Sequence, residues 1–359
     1  MEYLLVTLIT ILVSVLAITL QVFFHSPISP DPLQLPPSPP FFTPNNHLQR
    51  VIKLGEGMLK QPEDVFIDQK GVLYTATRDG WIKRLHKNGT LENWKKIHNK
   101  NTLLGLIITK SGDLIVCDTE EGLIKVSEDG EVTALATHLN GENITFADDL
   151  AEASDGSLYF SVASTKFGLH NWHLDFLEAK PHGQLLRYDP STKETTLVLD
   201  GLGFANGVAV SSDEEFLVVC ESWKFRCLKY WLKEERRGKV EIFIDNLPGS
   251  PDNIKVAPDG SFWVALLELT SSRMKFVHSS KAIKHVLATF PKLFEQISAV
   301  EKGSMVMNVG SDGRIIKMLD DPNGKVVSFV TSVLEFEGNL YLGSLKNDFI
   351  GKLPLETVL

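Results

Sequence analysis

Apolar residues in this chain come in short runs broken by turn chemistry, and one run–turn–run unit recurs. Pro-Glu63-Asp64-Val, Ala-Asp148-Asp149-Leu, Ala-Asn206-Gly-Val and Pro-Asp252-Asn253-Ile each open an apolar stretch on a carboxylate or amide. Eight residues after Glu63, Asp148, Asn206 and Asp252 stands a turn residue, Gly71, Gly156, Glu214 or Gly260. A second apolar run follows: Val72-Leu73-Tyr74, Leu158-Tyr159-Phe160, Phe216-Leu217-Val218, Phe262-Trp263-Val264. Side chains of period two around turns such as Asp155-Gly156 and Asp259-Gly260 predict a β-hairpin at each place. Two further copies keep the spacing without the polar residue: Leu104 before Gly112 and Val330 before Gly338. Six units, starting near residues 63, 104, 148, 206, 252 and 330, predict an all-β fold, a six-bladed β-propeller over residues 47–359. The third and fifth units are long and should carry insertions. His47 to Lys53 reads as an extra strand that pairs with the last blade and removes an open sheet edge.

Helical periodicity appears in three places. Phe167 to Lys180 and Ser280 to Ile297 are amphipathic, and both fall inside the long units, where helices over the central tunnel are expected. The third place is the start. Tyr3 to Phe24 is 22 residues without a charge, enough to span a hydrocarbon core. Residues 1–24 lack the basic n-region of a cleaved leader, so a signal anchor fits better than a signal peptide. Residues 25–46 hold eight of the seventeen prolines, which predicts an extended spacer lifting the domain off the membrane.

Net charge is −9, with no basic run, which argues against nucleic-acid binding. An apolar leader implies a luminal domain, in the endoplasmic reticulum or vacuole. The sequons Asn88-Gly-Thr90 and Asn143-Ile-Thr145 are compatible with glycosylation there. Cys220 and Cys227 flank a hairpin end and either form a disulfide across it or remain reduced, while Cys117 reads as a buried small hydrophobe.

If each hairpin opens a blade, Glu63, Asp148, Asn206 and Asp252 converge on the axis. Three carboxylates crowded in a tunnel repel one another, and a divalent cation relieves that. An all-oxygen set suits Ca²⁺, which takes 6–8 oxygens in flexible geometry; zinc would call for His or Cys. Asp64 and Asp149 each follow a ligand, so strict alternation would turn them to the opposite strand face.

Phe146-Ala-Asp-Asp-Leu, Lys180-Pro-His-Gly-Gln-Leu-Leu-Arg-Tyr-Asp-Pro190, Phe204-Ala-Asn-Gly-Val and Leu247-Pro-Gly-Ser-Pro-Asp-Asn-Ile resemble plant strictosidine synthase-like proteins. More distantly, they are similar to calcium-dependent lactonases and arylesterases of the paraoxonase and gluconolactonase type. The resemblance runs from about Arg50 to the C-terminus. It implies a six-bladed propeller whose axial ligands, carried over by motif, are Glu63, Asp148, Asn206 and Asp252. Asp148 stands where an Asn is more usual. The resemblance also places a synthase's catalytic glutamate at Thr331, and threonine cannot act as that acid/base near neutral pH. The paraoxonase histidines have no match, their places falling near Leu104 and Asp118. The expected activity is therefore metal-dependent hydrolysis of a small ester or lactone. Asp252 is the first candidate base by analogy with the lactonases, with Asp149 and Glu221 in reserve at the mouth. The alternatives are a non-enzymatic binding propeller with a structural calcium, and a condensing enzyme using a different base.

Overall fold

The computed structural model describes residues 2–35, 43–97, 103–267, 271–298 and 302–358. Six four-stranded antiparallel sheets follow one another as blades around an axis. The inner strands are Pro62–Ile67, Leu103–Ile108, Ala147–Glu152, Ala205–Val210, Ser250–Val256 and Val330–Phe336, one from each predicted unit. Among the described residues six apolar clusters hold the ring: five join neighbouring blades, and the largest joins the fourth and fifth blades to the cap helices. Blades thus pack face to face, and the axis is left to the ends and edges of the inner strands.

The ring closes as expected, with a shorter strand. Ile52–Leu54 pairs antiparallel with Ile350–Pro354 and becomes the outer strand of the sixth blade. His47–Arg50 is a 3₁₀ turn and not part of that strand. Its position is set by polar anchoring: Asp320 accepts from the amides of Asn45 and Asn46, and Asp321 accepts from Gln49.

Both long blades carry helices between their second and third strands. In the third blade this is α2 (Trp172–Glu178); in the fifth it is α3 (Ser272–Ser279), α4 (Lys281–Thr289) and α5 (Pro291–Ser298), preceded in the chain by the N-terminal α1 (Glu2–His25). Pro291 divides the second amphipathic stretch, since proline lacks the donor that would continue α4. The helices form one cap. Phe294 packs on Trp172 and His173, and Phe176 packs on Trp223 and His278.

The proline-rich stretch departs from its expected role. Residues 26–35 lie on the cap and do not stand away from it. Ile28 is buried in the same cluster as α2–α4, and Leu33 and Leu35 pack against it. The amide of Asp31 donates to the Glu178 carbonyl, that of Leu33 to the His278 carbonyl, and that of Ser29 to the Glu178 carboxylate. Extended, proline-rich backbone has unpaired donors, and the cap supplies acceptors and an apolar seat. Residues 36–42 of the expected spacer lie outside the described residues.

Candidate functional site

Every inner strand carries a one-residue β-bulge near its start, at 63–64, 104–105, 148–149, 206–207, 252–253 and 331. A bulge breaks the period-two alternation, so two consecutive side chains can turn toward the axis. The sixth strand enters one residue later than the turn spacing implies, placing Thr331 at the bulge in place of Val330. Backbone conformation agrees. Gln61, Phe146, Phe204 and Phe329 all adopt left-handed φ (49° to 63°), two residues ahead of Glu63, Asp148, Asn206 and Thr331. Left-handed backbone at non-glycine residues costs energy and gathers at functional sites. Here all four residues line a single pocket.

That pocket, a cavity of about 280 Å³, brings together all four sequence-predicted ligands, Glu63, Asp148, Asn206 and Asp252. Each is at most 5% exposed. Asn253 donates to Glu63 Oε1 at 2.9 Å, leaving Glu63 Oε2 buried without a partner. Asn206 bonds the Asp252 carboxylate through its side chain, yet its own Oδ1 has no partner. Burial, reinforced by the neighbouring carboxylates, raises the Glu63 and Asp148 carboxyls well above the ordinary range. Burial also raises Asp252 well above it, with the Asn206 bond pulling the other way. The rest of the wall is apolar and aromatic, with Leu104, Leu169, Trp172, Trp223 and Leu267, plus two cations, Arg78 and Lys346.

Among the described residues, no group of three or more His, Cys, Asp or Glu side chains is gathered as a metal centre. The donor chemistry of the pocket nonetheless fits a hard divalent cation. Three buried carboxylates share the pocket, two of its buried oxygens, Glu63 Oε2 and Asn206 Oδ1, have no hydrogen-bond partner, and neither His nor Cys is on the described wall.

Directly beneath lies a second polar layer. The Asp64 carboxylate crosses the tunnel to Lys255 Nζ of the fifth blade at 2.9 Å, and also accepts from the amide of Leu106 in the second. Asp149 accepts from the amide of Val208 in the fourth blade and lies 4.0 Å from Lys255. Neither carboxylate turns to the opposite strand face, because the bulge suspends the alternation that predicted it. Gly105 and Gly207 make room: a Cβ at Gly105 would sit 2.6 Å from the Asp148 carbonyl oxygen, and one at Gly207 2.5 Å from that of Asp252. Burial raises the Asp149 carboxyl to about 7, with Lys255 opposing the rise.

The two reserve bases do not reach the pocket wall. Asp149 belongs to the layer below, and Glu221 is held by Arg226, Lys224 and the amide of Gly203. Thr331 donates its hydroxyl to the Glu63 carbonyl at 2.7 Å, tying the last blade to the first. Cys220 and Cys227 face each other across strands two and three of the fourth blade and are bonded as a disulfide. Cys117 is buried and free, and Asn88 and Asn143 are exposed. Sequence reasoning missed Arg78, Asn253 and Lys255. Period two along the fifth inner strand places Asn253 and Lys255 on one face and was the available signal for those two.

Two family models match the chain: strictosidine synthase over residues 148–235, and the N-terminal region of strictosidine synthase-like proteins over residues 41–85. Strictosidine synthase-like 4 of Arabidopsis thaliana is 34% identical over 309 residues, covering 84% of this chain and 81% of the relative. The adipocyte plasma membrane-associated protein of Rattus norvegicus is 32% identical, covering 94% of this chain and 96% of the relative. Among solved structures, a gluconolactonase from Xanthomonas campestris superposes with TM-score 0.61 at 16% identity, over 92% of this chain and 99% of that one. The calcium-binding protein regucalcin from Agrobacterium tumefaciens does so with TM-score 0.56 at 14% identity, over 84% and 92%. These structures show the shared propeller; the sequence relatives, alike across most of their length, show that the chain belongs to the strictosidine synthase-like family.

Proposed function

We propose that the protein hydrolyses a small ester or lactone at the axial pocket with the help of a divalent cation, Ca²⁺ on donor chemistry. The observation carrying this reading is the pair of buried, partnerless oxygens, Glu63 Oε2 and Asn206 Oδ1, beside the buried carboxylates of Asp148 and Asp252. Buried polar atoms without partners are costly, so such a group awaits a ligand. Bound there, the cation would polarise the substrate carbonyl and lower the charge density of its transition state. Glu63, Asp148, Asn206 and Asp252 would hold it. Asp252, on the same wall, accepts the proton of the attacking water. The Arg78 guanidinium, on the same wall, donates to the developing oxyanion. Phe146, Phe204, Trp172 and Trp223 exclude water around an apolar acyl or ring portion.

Placement in an oxidising compartment of the secretory pathway accompanies this reading, supported by the Cys220–Cys227 disulfide. Thr331, buried and committed to the Glu63 backbone, supports hydrolysis over the amine–aldehyde condensation of the namesake enzyme.

The test is turnover of aryl esters and aliphatic lactones by the full chain with calcium, with chelator, and as Asp252→Ala. Chelator should abolish turnover, and Asp252→Ala should lower kcat by about 10²–10³-fold, the size of losing one transition-state stabiliser. Undiminished turnover in either case refutes the proposal. Calcium binding with no turnover across the panel would favour a binding propeller with a structural ion.

A further inference from the structure

The N-terminal helix and the cap are physically joined. Val22 is buried and the Phe23 ring lies 4.6 Å from that of His285 on α4, so the last turn of α1 touches the cap. Ile28 sits in the cap core three residues beyond the end of α1 at His25. Three extended residues reach roughly 10 Å at most. Tyr3–His25 is 23 residues of strongly apolar helix, long enough to cross a bilayer. If α1 spans a membrane, the cap therefore lies at the membrane surface.

The outer face of α3–α5 suits that position. Phe276 (67% exposed), Phe290 (51%), Leu293 (41%) and Val286 (37%) project from it. The same three helices contain five Lys or Arg residues against a single Glu, in a chain of net charge −9. Arg273 and Lys292 are exposed on these helices, as is Lys281, which pairs with Asp31 at 3.2 Å. Apolar residues interspersed with cations are what a helix resting in an anionic lipid interface presents.

We propose that the cap lies against the bilayer into which α1 inserts, with Phe276, Phe290 and Leu293 in the interface and the axial pocket opening toward the lipid. The pocket lies under α2, whose Trp172 lines it and touches Phe294 of α5. A corollary, which rests on the hydrolase reading above, is that the substrate class is an amphiphilic ester or lactone entering from the membrane interface.

The experiment uses the full chain reconstituted in vesicles of phosphatidylcholine with one-fifth phosphatidylserine. Single fluorescent labels are placed through Phe276→Cys, Phe290→Cys and, as the control, Ser111→Cys in a hairpin turn at the opposite end of the propeller. The native cysteines do not interfere, being buried or disulfide-bonded. Lipids carrying a quencher near the headgroup should quench the labels at 276 and 290 severalfold more than the label at 111. Equal quenching at all three positions overturns the proposal. A second form, with Ile28→Asp and a 20-residue Gly/Ser insertion after His25, should lose the excess quenching while its helix remains inserted. Quenching that persists in that form would show that the strap does not hold the cap down, and would also overturn it. For the corollary, the lengthened form should keep its kcat/KM on a soluble short-chain ester and lose about tenfold on a long-chain ester embedded in the vesicles. Failure to cleave either ester counts against the hydrolase reading and leaves the quenching result to decide the docking.

Discussion

Two layers of carboxylates are stacked on the propeller axis, drawn from adjacent positions of the same strands. In the lower layer Asp64 bonds the Lys255 ammonium at 2.9 Å, Asp149 lies 4.0 Å from it with its Oδ1 lacking a hydrogen-bond partner, and each accepts an amide from the next blade. Among the described residues no ion pair is formed by Glu63 or Asp148, one residue earlier in each strand, and Glu63 Oε2 has no hydrogen-bond partner. Asp252 completes the upper layer with only the Asn206 amide beside it as a side-chain partner. Residue type is the same and burial is the same. What differs is that the lower layer has an ammonium in hydrogen-bond contact, Lys255, while the cations of the upper pocket, Arg78 and Lys346, stand on its wall. The lower layer clamps neighbouring blades around Lys255, whereas the raised proton affinity of the upper layer is what a ligand or protons would relieve.

That contrast makes opposite predictions for the two layers. The largest effect should come from Lys255→Met, which leaves two buried carboxylates facing each other. It should cost roughly 3–5 kcal/mol, the usual penalty for breaking a buried pair from one side. Urea unfolding of the full chain measures it, and a loss under 1 kcal/mol would mean that Lys255 does not hold the layer.

Next in size is calcium itself. At 100 times its Kd, it should add about 2.7 kcal/mol relative to chelator, read as a rise in Tm. The pH dependence has a definite sign. Glu63, Asp148 and Asp252 have folded pKa values raised above their unfolded values, so they hold protons in the folded state that the unfolded chain releases. Their contribution is therefore complete below about pH 4 and is lost as pH rises above it. In chelator, Tm should fall on going from pH 5 to pH 8; with calcium the fall should be smaller. The calcium-induced shift should accordingly grow with pH. A shift independent of pH would place the ion elsewhere.

Glu63→Gln should be smaller and of opposite sign to any change in the lower layer. Removing one of the mutually repelling charges should raise stability in chelator by on the order of 1 kcal/mol, the value of a single pKa unit, and remove most of the calcium response. Asp64→Asn, one residue away, should instead lower stability, because Lys255 and the Leu106 amide lose their charged acceptor. Denaturant titrations of the two variants in parallel decide it; changes of the same sign would erase the distinction between layers.

The smallest handle is Asp175 in the cap, whose partners are neutral donors, Trp223 Nε1 at 2.8 Å and Ser164 Oγ at 2.6 Å. Burial raises its carboxyl from the ordinary value to about 6, against the pull of those two bonds. Its stabilising contribution is present below about pH 4 and fades as pH rises through 6. Asp175→Asn should keep the Trp223 bond and flatten the stability profile between pH 4 and pH 6 by under 1 kcal/mol. An unchanged slope would show that Asp175 does not titrate in that window.

Hairpin periodicity, the Asp-Gly turns and the eight-residue spacing were enough to specify six blades, the two inserted caps and four side chains meeting at an axis. Those are local signals, carried by alternation and turn chemistry within some ten residues, and the local physics of strands honours them. The spacing could not reveal the bulge in each inner strand. A bulge arises where neighbouring blades crowd the axis, and it turned Asp64 and Asp149 inward and moved the sixth strand by one residue to Thr331. Period two put Lys255 on the same strand face as Asn253, but its partners lie 191 and 106 positions away and meet it only across the closed ring. Proline content suggested a free spacer, but backbone donors at Ser29, Asp31 and Leu33 found acceptors on helices more than 140 residues distant. In each case a local pattern set which residues were available, and long-range closure of the ring and cap decided which of them received partners.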